Sequence, residues 1–378
     1  MSTETCFGLG AIRNLPTVLE TLSANRIFLT TGNESFNTSG AAVILEELLF
    51  PYDVYRFNTS SGSPTLSNIL TGFDRVAEFN PDIIVAVGGG SVIDTAKSIR
   101  IGAVQDDSFE DIAAGLGGIR RRGLPLVAIP TTAGSGSETT HFAVVFIDNR
   151  KFSVAHDFVR PEVALIDPQL TFSMSPLQTA ISGMDAFSQA MESLWSVKST
   201  NESRDLATQA LNLAYHNIEK AVRSPSSDAR ESMSRAAHLA GKAIDISKTT
   251  GPHALSYCLT TSLGIPHGQA VALTVGSFLD FNYAVTTSDL NDPRGIYHVK
   301  HVLEGIWDLL EVSSSIEARD AILDLMKRLG LETRLASYGV ETLVDCAMIA
   351  SEVNIQRLSN NPRRPTEQQL ETMLYGLI

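Results

Sequence analysis

Short apolar segments alternate with amphipathic segments over the first 170 residues of the chain. The apolar segments are rich in β-branched residues and have the length of strands, whereas the amphipathic segments have helical spacing. Strands are predicted at 26–31, 52–57, 83–87, 126–130, 143–147 and 163–167, the last two at the edge of the domain, with helices at 41–49, 67–78 and after residue 90. This alternation predicts an α/β fold with a doubly wound parallel sheet, which binds ligands at the carboxyl ends of its strands.

The pattern changes near residue 173, after which nearly all of the chain has helical periodicity. Ser175 and Pro176 have the residue types favoured at the N-cap and at the first position of a helix. We therefore predict two domains, an α/β domain over 1–172 and an all-α domain over 173–378.

A run of three glycines follows the predicted strand at 83–87 and precedes a helix. Glycines allow a sharp turn and a close approach of the backbone to a ligand. Ser91 is predicted as the N-cap, with Asp94 three residues later in the spacing of a capping box. Such a helix start suits a phosphate group, although a turn that merely packs a helix on a strand is the alternative. The spacing matches neither the P-loop nor a strict G-x-G-x-x-G.

The composition of the chain argues against some classes of binding partner. The net charge of −13 argues against a nucleic acid or an anionic membrane surface as partner. The three cysteines are scattered, as is typical of a reducing compartment. We see neither a signal peptide nor an apolar run that approaches the ~20 residues of a membrane span. A cytoplasmic protein is expected.

The helical half contains possible metal ligands. Asp185 and Gln189 are four residues apart and share a helix face, as do His253 and Tyr257, while His267 follows later. One carboxylate, two imidazoles and an amide oxygen could hold a divalent cation with a position open for substrate. Taken alone, an Asp and two His so far apart in sequence are more often unrelated.

Four ordered motifs decide between these alternatives. GGGSVIDTAK and PTTAGSGSETT, followed by GMDAFSQAME and by HALSY with PHG, resemble the iron-containing alcohol dehydrogenase family over nearly the whole chain. The resemblance implies a dinucleotide-binding domain, a helical metal and substrate domain, and an active site between them. It also implies reduction of an aldehyde or ketone, or the reverse, with NAD(P)(H) and usually Fe²⁺ or Zn²⁺. We expect a homodimer.

The resemblance assigns roles to individual residues. The pyrophosphate would lie at Gly89, Gly90 and Ser91, with Asp94 supporting the helix start. Three hydroxyl-bearing residues of the second glycine loop would line the nucleotide: Thr131, Thr132 and Ser135.

The metal ligands are also assigned by resemblance. Asp185, His253 and His267 match three of the family's four metal ligands, and Gln189 stands where the fourth is commonly His. Gln is a poorer ligand than His for a borderline metal. Related maleylacetate reductases work without metal, so a metal-free mechanism is an alternative. His267, as a ligand, and Tyr257, as the proton relay, are the predicted catalytic residues.

The choice of cofactor depends on the residue after the strand at 26–31. Many NAD-dependent members carry Asp there, which accepts from the ribose 2′-hydroxyl, whereas this chain has Gly32. The loss of the carboxylate removes repulsion toward a 2′-phosphate, and Asn33 and Ser35 can donate to it, although Glu34 lies beside them. NADPH is therefore predicted, with NADH as the alternative.

The substrate is predicted to be a small anionic aldehyde. The sequence is similar to that of reductases acting on phosphonoacetaldehyde in phosphonate biosynthesis, and guanidinium groups suit phosphonate oxygens. Candidate cations for this role are Lys151, Lys248, Arg357, Arg363 and Arg364. The alternatives are a dehydrogenase of the butanol type with an apolar pocket, a maleylacetate-type reductase, and an inactive nucleotide-binding relative.

Overall fold

A computed structural model describes residues 3–59, 62–148, 150–353 and 355–378, with only the backbone described for residues 355–357. The chain divides into two compact units, Met1–Met174 and Ser175–Ile378. We refer to them as the N-terminal and C-terminal units.

The N-terminal unit is built on a parallel sheet. Within the described residues this sheet has six strands in the order β1-β8-β5-β4-β2-β3. Its strands are β1 (Glu4–Phe7), β2 (Arg26–Thr31), β3 (Asp53–Asn58), β4 (Ile83–Gly88), β5 (Leu126–Pro130) and β8 (Val163–Ile166). β4 is buried along its whole length, which explains its continuous apolar sequence. The prediction of a parallel α/β sheet is confirmed.

Helices cover both faces of the sheet. They are α1 (Leu15–Thr21), α2 (Ser35–Thr38), α3 (Ala41–Leu48), α4 (Leu66–Phe79), α5 (Gly90–Gly102) and α6 (Phe109–Ala114). One hydrophobic core contains side chains of α1 and α3, such as Leu19 and Leu45, packed with Val85 of β4. The other contains side chains of α4 and α5, such as Ile69 and Ile99, packed with Ile84.

Two of the predicted strands lie elsewhere than expected. β6 (Phe142–Ile147) leaves the parallel sheet and pairs antiparallel with β7 (Arg150–Ala155) in a separate ribbon. β8 lies inside the main sheet between β1 and β5, not at its edge. The edge position belongs to β1, a four-residue strand that is too short to stand out in the sequence pattern.

The C-terminal unit is helical in its described residues. Its helices are α7 (Pro176–Trp195), α8 (Asn201–Arg223), α9 (Ser227–Ser247), α10 (Gly251–Leu263), α11 (His267–Tyr283), α12 (Ile296–Leu310), α13 (Ser315–Arg328), α14 (Leu343–Ser351) and α15 (Glu367–Tyr375). Ser175 caps α7 by accepting from the Gln178 N–H, and Pro176 takes the first helical position, both as predicted. None of the described helices is long and apolar enough to cross a membrane.

Candidate nucleotide edge and metal centre

Polar residues gather where the central strands of the sheet end. β2 runs into Gly32, β3 ends at Asn58, and β4 runs into Gly89. Because these strands are parallel neighbours, their carboxyl ends lie at one edge of the sheet. This edge is where open α/β sheets bind their ligands. We call it the nucleotide edge.

The glycine turn differs in detail from the prediction. Gly89 is extended, with φ −73° and ψ −177°, and serves as the N-cap of α5, which therefore begins at Gly90. Ser91 lies inside the first turn and is exposed, so its prediction as the N-cap is wrong. A Cβ on Gly90 would meet Ser135 Oγ at 2.6 Å, and one on Gly89 would meet Thr132 Cγ2 at 3.4 Å. The second glycine loop thus packs directly against this turn.

Asp94 does not support the start of α5, contrary to expectation. Its carboxylate accepts hydrogen bonds from Ser137 Oγ and, at 3.0 Å, from the Val144 N–H. Burial raises the pKa of Asp94 above its ordinary value, although the nearby Lys97 charge opposes that shift. Asp94 therefore joins α5 to the second loop and to β6.

Lys97 reinforces this connection, and the sequence did not single it out. The side chain is fully buried one turn beyond Asp94, with Nζ 4.0 Å from Asp94 Oδ1. Its ammonium group donates at 2.9–3.0 Å to Ser137 Oγ, Thr140 Oγ1 and the Phe142 carbonyl. A buried ammonium requires such partners. A lysine on an apolar helix face was the only signal that sequence could have offered.

The predicted metal ligands come together in the C-terminal unit. Asp185 is in the middle of α7, His253 is in the first turn of α10, and His267 is the first residue of α11. Gly268 makes this convergence possible, because a Cβ there would lie 2.1 Å from the Ile181 carbonyl oxygen and 3.0 Å from Asp185 Cβ. Only glycine allows α11 to approach α7 this closely.

The three side chains present one ligand atom each. Asp185 Oδ1 lies 3.4 Å from His253 Nε2 and 3.9 Å from His267 Nε2, and one atom of each residue lies within 4.8 Å of the others. Asp185 Oδ1 is buried and accepts no hydrogen bond from any described residue. One carboxylate and two imidazoles are a donor set suited to Fe²⁺ or Zn²⁺. These residues therefore fit a divalent metal ion.

The electrostatics of the cluster favour a positive charge. Burial opposes protonation of His253, but Glu192 and Asp185 outweigh it and raise the pKa of His253 to about 9. Burial likewise opposes ionisation of Asp185, but His253 and His267 outweigh it and lower the pKa of Asp185. A divalent ion bound between these residues would neutralise the same carboxylates.

Glu192 is a member of the site that sequence reasoning missed. Its fully buried carboxylate accepts from His253 Nδ1, and also from the Thr250 N–H at 2.6 Å and Thr250 Oγ1 at 2.9 Å. With Nδ1 engaged in this way, Nε2 of His253 faces Asp185. A carboxylate behind a histidine ligand is a common means of orienting the ring. Its position seven residues after Asp185, on the same face of α7, was the available signal.

The structure places the other two predicted residues beside this cluster. Gln189 is buried one turn after Asp185 on α7, and its side chain hydrogen-bonds to that carboxylate. The ring of Tyr257 lies parallel to that of His267, with the ring centroids 6.4 Å apart. Tyr257 thus lies beside His267.

Arg363 lies elsewhere in the C-terminal unit. Its Nε donates to Asp289 Oδ2 and its Nη1 to the Phe281 carbonyl, both at 2.8 Å, and the guanidinium stacks on the Phe281 ring. Phe281 and His267 are near opposite ends of α11, about 21 Å apart along the axis. Arg363 is not at the candidate metal centre. The exposed Arg364 follows it, with its N–H on the Asp289 carbonyl.

The remaining predicted cations lie in different surroundings. The side chain of Arg357 lies outside the described residues, but its backbone belongs to a 3₁₀ segment, Ile355–Asn360, that packs against α10. Asn360 of this segment donates at 2.9 Å to the carbonyls of Ser247 and Thr249, just before α10. Lys151 is on β7 of the N-terminal unit, where its charge acts on Asp94.

Comparison with known protein families identifies the family of this chain. The iron-containing alcohol dehydrogenase model matches residues 2–168, and the model of the C-terminal part of that family matches residues 179–377. The chain belongs to the iron-containing alcohol dehydrogenase family. It is therefore an NAD(P)-dependent oxidoreductase, as the four motifs predicted.

This alcohol dehydrogenase is similar to two named aldehyde reductases and to a solved structure. A phosphonoacetaldehyde reductase of Streptomyces viridochromogenes is 35% identical over 83% of this chain and 80% of its own length. A sulfoacetaldehyde reductase of Bilophila wadsworthia is 29% identical over 97% of this chain and 95% of its own. The crystal structure of sulfoacetaldehyde reductase from Bifidobacterium kashiwanohense with NAD⁺ has a TM-score of 0.88 at 29% identity, covering 100% of this chain and 97% of that one.

The contacts of Glu192 lead to a prediction for this dehydrogenase. Glu192→Gln preserves the volume of the side chain but removes the charge that orients His253. We expect metal affinity, measured by competition with a chelator, to fall roughly ten- to a hundredfold. Glu162→Gln is the matched control, because Glu162 is a mostly buried carboxylate that accepts from Arg100 and Arg122 in the other unit. Equal metal affinity in wild type and Glu192→Gln would contradict the orienting role.

Proposed function

We propose that this alcohol dehydrogenase uses NADPH to reduce a small anionic aldehyde, with phosphonoacetaldehyde, giving 2-hydroxyethylphosphonate, as the leading candidate. The observation that carries the proposal is a metal-type cluster in a chain 35% identical to a phosphonoacetaldehyde reductase. Sulfoacetaldehyde is the second candidate, because reductases of that name match nearly the full chain. Both compounds join a short aldehyde to an acidic group.

The roles proposed for the residues follow from their chemistry. Asp185, His253 and His267 would hold Fe²⁺ or Zn²⁺, with Gln189 as a further oxygen donor. The ion, when bound, supplies Lewis acidity toward the carbonyl oxygen of the substrate. Glu192 keeps Nε2 of His253 directed toward the centre. Tyr257, beside His267, is the proposed proton relay to the product oxygen.

An anionic substrate also requires a cation, because the chain as a whole carries a net charge of −13. Arg357 and Lys248 are the leading candidates, since both belong to segments that border the start of α10. Lys248 has φ +61° and ψ 170°, a conformation normally left to glycine. Asn360 binds the carbonyls on both sides of it, those of Ser247 and Thr249, and so holds this strained backbone in place.

The preference for NADPH can be reversed by substitution. Gly32→Asp restores a carboxylate that accepts from a 2′-hydroxyl and repels a 2′-phosphate. The added Cβ would lie 2.4 Å from Ser35 Oγ, so Gly32→Asp/Ser35→Ala is the better test. We expect this double variant to favour NADH in kcat/KM, with Ser35→Ala alone as the reference variant that measures the contribution of the Ser35 hydroxyl. Equal kcat/KM for both cofactors in the wild type would contradict the role of Gly32. The crystal structure with NAD⁺ makes NADH the alternative cofactor.

One experiment tests the function as a whole. Protein purified without chelator is analysed for metal and assayed for NADPH oxidation with phosphonoacetaldehyde, sulfoacetaldehyde and butanal. We expect the highest kcat/KM with phosphonoacetaldehyde. A preference for butanal would overturn the anionic substrate but leave the dehydrogenase assignment in place. The homodimer and the cytoplasmic location stay predictions.

A further inference from the structure

Arg56, at the nucleotide edge, has two terminal guanidinium nitrogens that can donate hydrogen bonds to a ligand. Arg56 is on β3, opposite Leu29 of β2, and its Nε donates to Thr31 Oγ1 at 3.0 Å. The guanidinium carbon lies 4.3 Å from the centroid of the Phe36 ring. Thr31 is the last residue of β2 and directly precedes Gly32. The guanidinium of Arg56 is therefore fixed beside the residue that decides the choice of cofactor.

The charge of Arg56 is not used within the fold. Arg56 is exposed, and its two terminal nitrogens form no hydrogen bond or ion pair with any residue that the structure describes. Arg26, at the other end of β2, provides the contrast. It stacks on Phe79 at 4.5 Å in the same way, but it also pairs with Asp53 at 2.6 Å and donates to the Phe79 carbonyl. Both arginines stack on a phenylalanine ring. Of the two, Arg56 is the one whose terminal N–H groups have no partner among the described residues.

The neighbouring polar groups at this edge are amides. Asn58, the last residue of β3, donates from Nδ2 to Asn33 Oδ1 at 3.2 Å. This bond occupies the acceptor oxygen of Asn33 and leaves its Nδ2 group as a donor. Guanidinium and amide N–H groups together suit a phosphate, and an arginine held by one nitrogen can still present its outer nitrogens as a fork.

We propose that Arg56 binds the 2′-phosphate of NADPH and is the main residue of this chain that favours NADPH over NADH. This inference rests on the proposed function for its cofactor. It adds a positive determinant to the missing carboxylate at Gly32, with Asn33 as a secondary donor. The competing role for Arg56, stacking on the adenine ring, would serve NADPH and NADH equally.

Binding of nucleotide fragments tests the proposal without any aldehyde. Affinities for adenosine 2′,5′-bisphosphate and for 5′-AMP are measured by calorimetry with wild type, Arg56→Ala, Arg56→Lys and the control Arg26→Ala. Arg56 lies opposite Leu29, three residues and about 10 Å along β2 from Arg26, and the two guanidinium groups contact different rings, Phe36 and Phe79. We expect Arg56→Ala to weaken the bisphosphate roughly ten- to a hundredfold while 5′-AMP stays within about twofold. Arg56→Lys should restore part of the loss, and Arg26→Ala should change neither affinity.

The results distinguish a failure of this inference from a failure of the proposed function. Equal losses for both fragments in Arg56→Ala would assign Arg56 to adenine stacking and overturn the inference. Unchanged binding of both fragments would also overturn it. If the wild type binds 5′-AMP as tightly as the bisphosphate, the proposed use of NADPH itself fails. Steady-state KM values for NADPH and NADH should follow the fragment affinities, and the thermal unfolding midpoint of each variant shows that it is folded.

Discussion

His267→Ala is expected to lose its metal and its turnover together. His267 begins α11 with Nε2 3.9 Å from Asp185 Oδ1, so its removal takes away one of the two imidazoles of the proposed metal site. Gln189→Ala should weaken both properties less, because a neutral amide oxygen is a poorer donor that water can replace in part. The measurement is metal content of protein purified without chelator, alongside NADPH oxidation with the preferred aldehyde.

The control for this prediction is His298→Ala. His298 is a half-buried histidine on α12 of the same unit and does not belong to the cluster of possible ligands. It should retain both metal and activity. Full activity of the wild type after exhaustive chelation, with no metal found, would instead favour the alternative of a metal-free mechanism.

Arg357→Ala is expected to raise the KM for phosphonoacetaldehyde with little effect on butanal. A hydrogen bond between charged groups contributes about 1.5–3 kcal/mol, or roughly ten- to a hundred-and-fifty-fold in binding. The backbone of Arg357 lies in the segment that packs against α10, the helix that carries His253. The same assay on Lys248→Met measures how much Lys248, compared with Arg357, contributes to binding the charged group of the substrate.

Arg363→Ala is the matched control for this prediction. Its guanidinium is bound by Asp289 and by the Phe281 carbonyl near the far end of α11. The variant should leave the KM for phosphonoacetaldehyde unchanged and lower the free energy of unfolding by about 1–3 kcal/mol, because it removes the ion pair with the partly buried Asp289 carboxylate and the hydrogen bond to the Phe281 carbonyl. A higher KM in Arg363→Ala with an unchanged KM in Arg357→Ala would reverse our assignment of the two arginines.

Local sequence was sufficient to predict the fold class. A parallel strand buried on both faces requires a continuous apolar run, and β4 and β5 are such runs. The helical periodicity of the sequence after Ser175 likewise predicted that the C-terminal half of the chain is helical. The candidate metal ligands depended on more than local pattern. Asp185 and His253 are 68 residues apart, so their pairing could be inferred only from the ordered motifs shared with a family.

Tertiary structure alone decided what each polar side chain contacts. Arg357 and Arg363 look equivalent in sequence, yet a turn of a few residues puts Arg363 at the end of α11 remote from His267. Glu192 became part of the site because the fold brings the start of α10, with Thr250 and His253, to its carboxylate on α7, and no local pattern encodes that approach. Arg56 reaches Thr31 through the register of two strands that are separated by two helices in the chain. Hydrophobic periodicity determines which face of an element is buried, whereas the partner of a charged side chain depends on how whole elements pack.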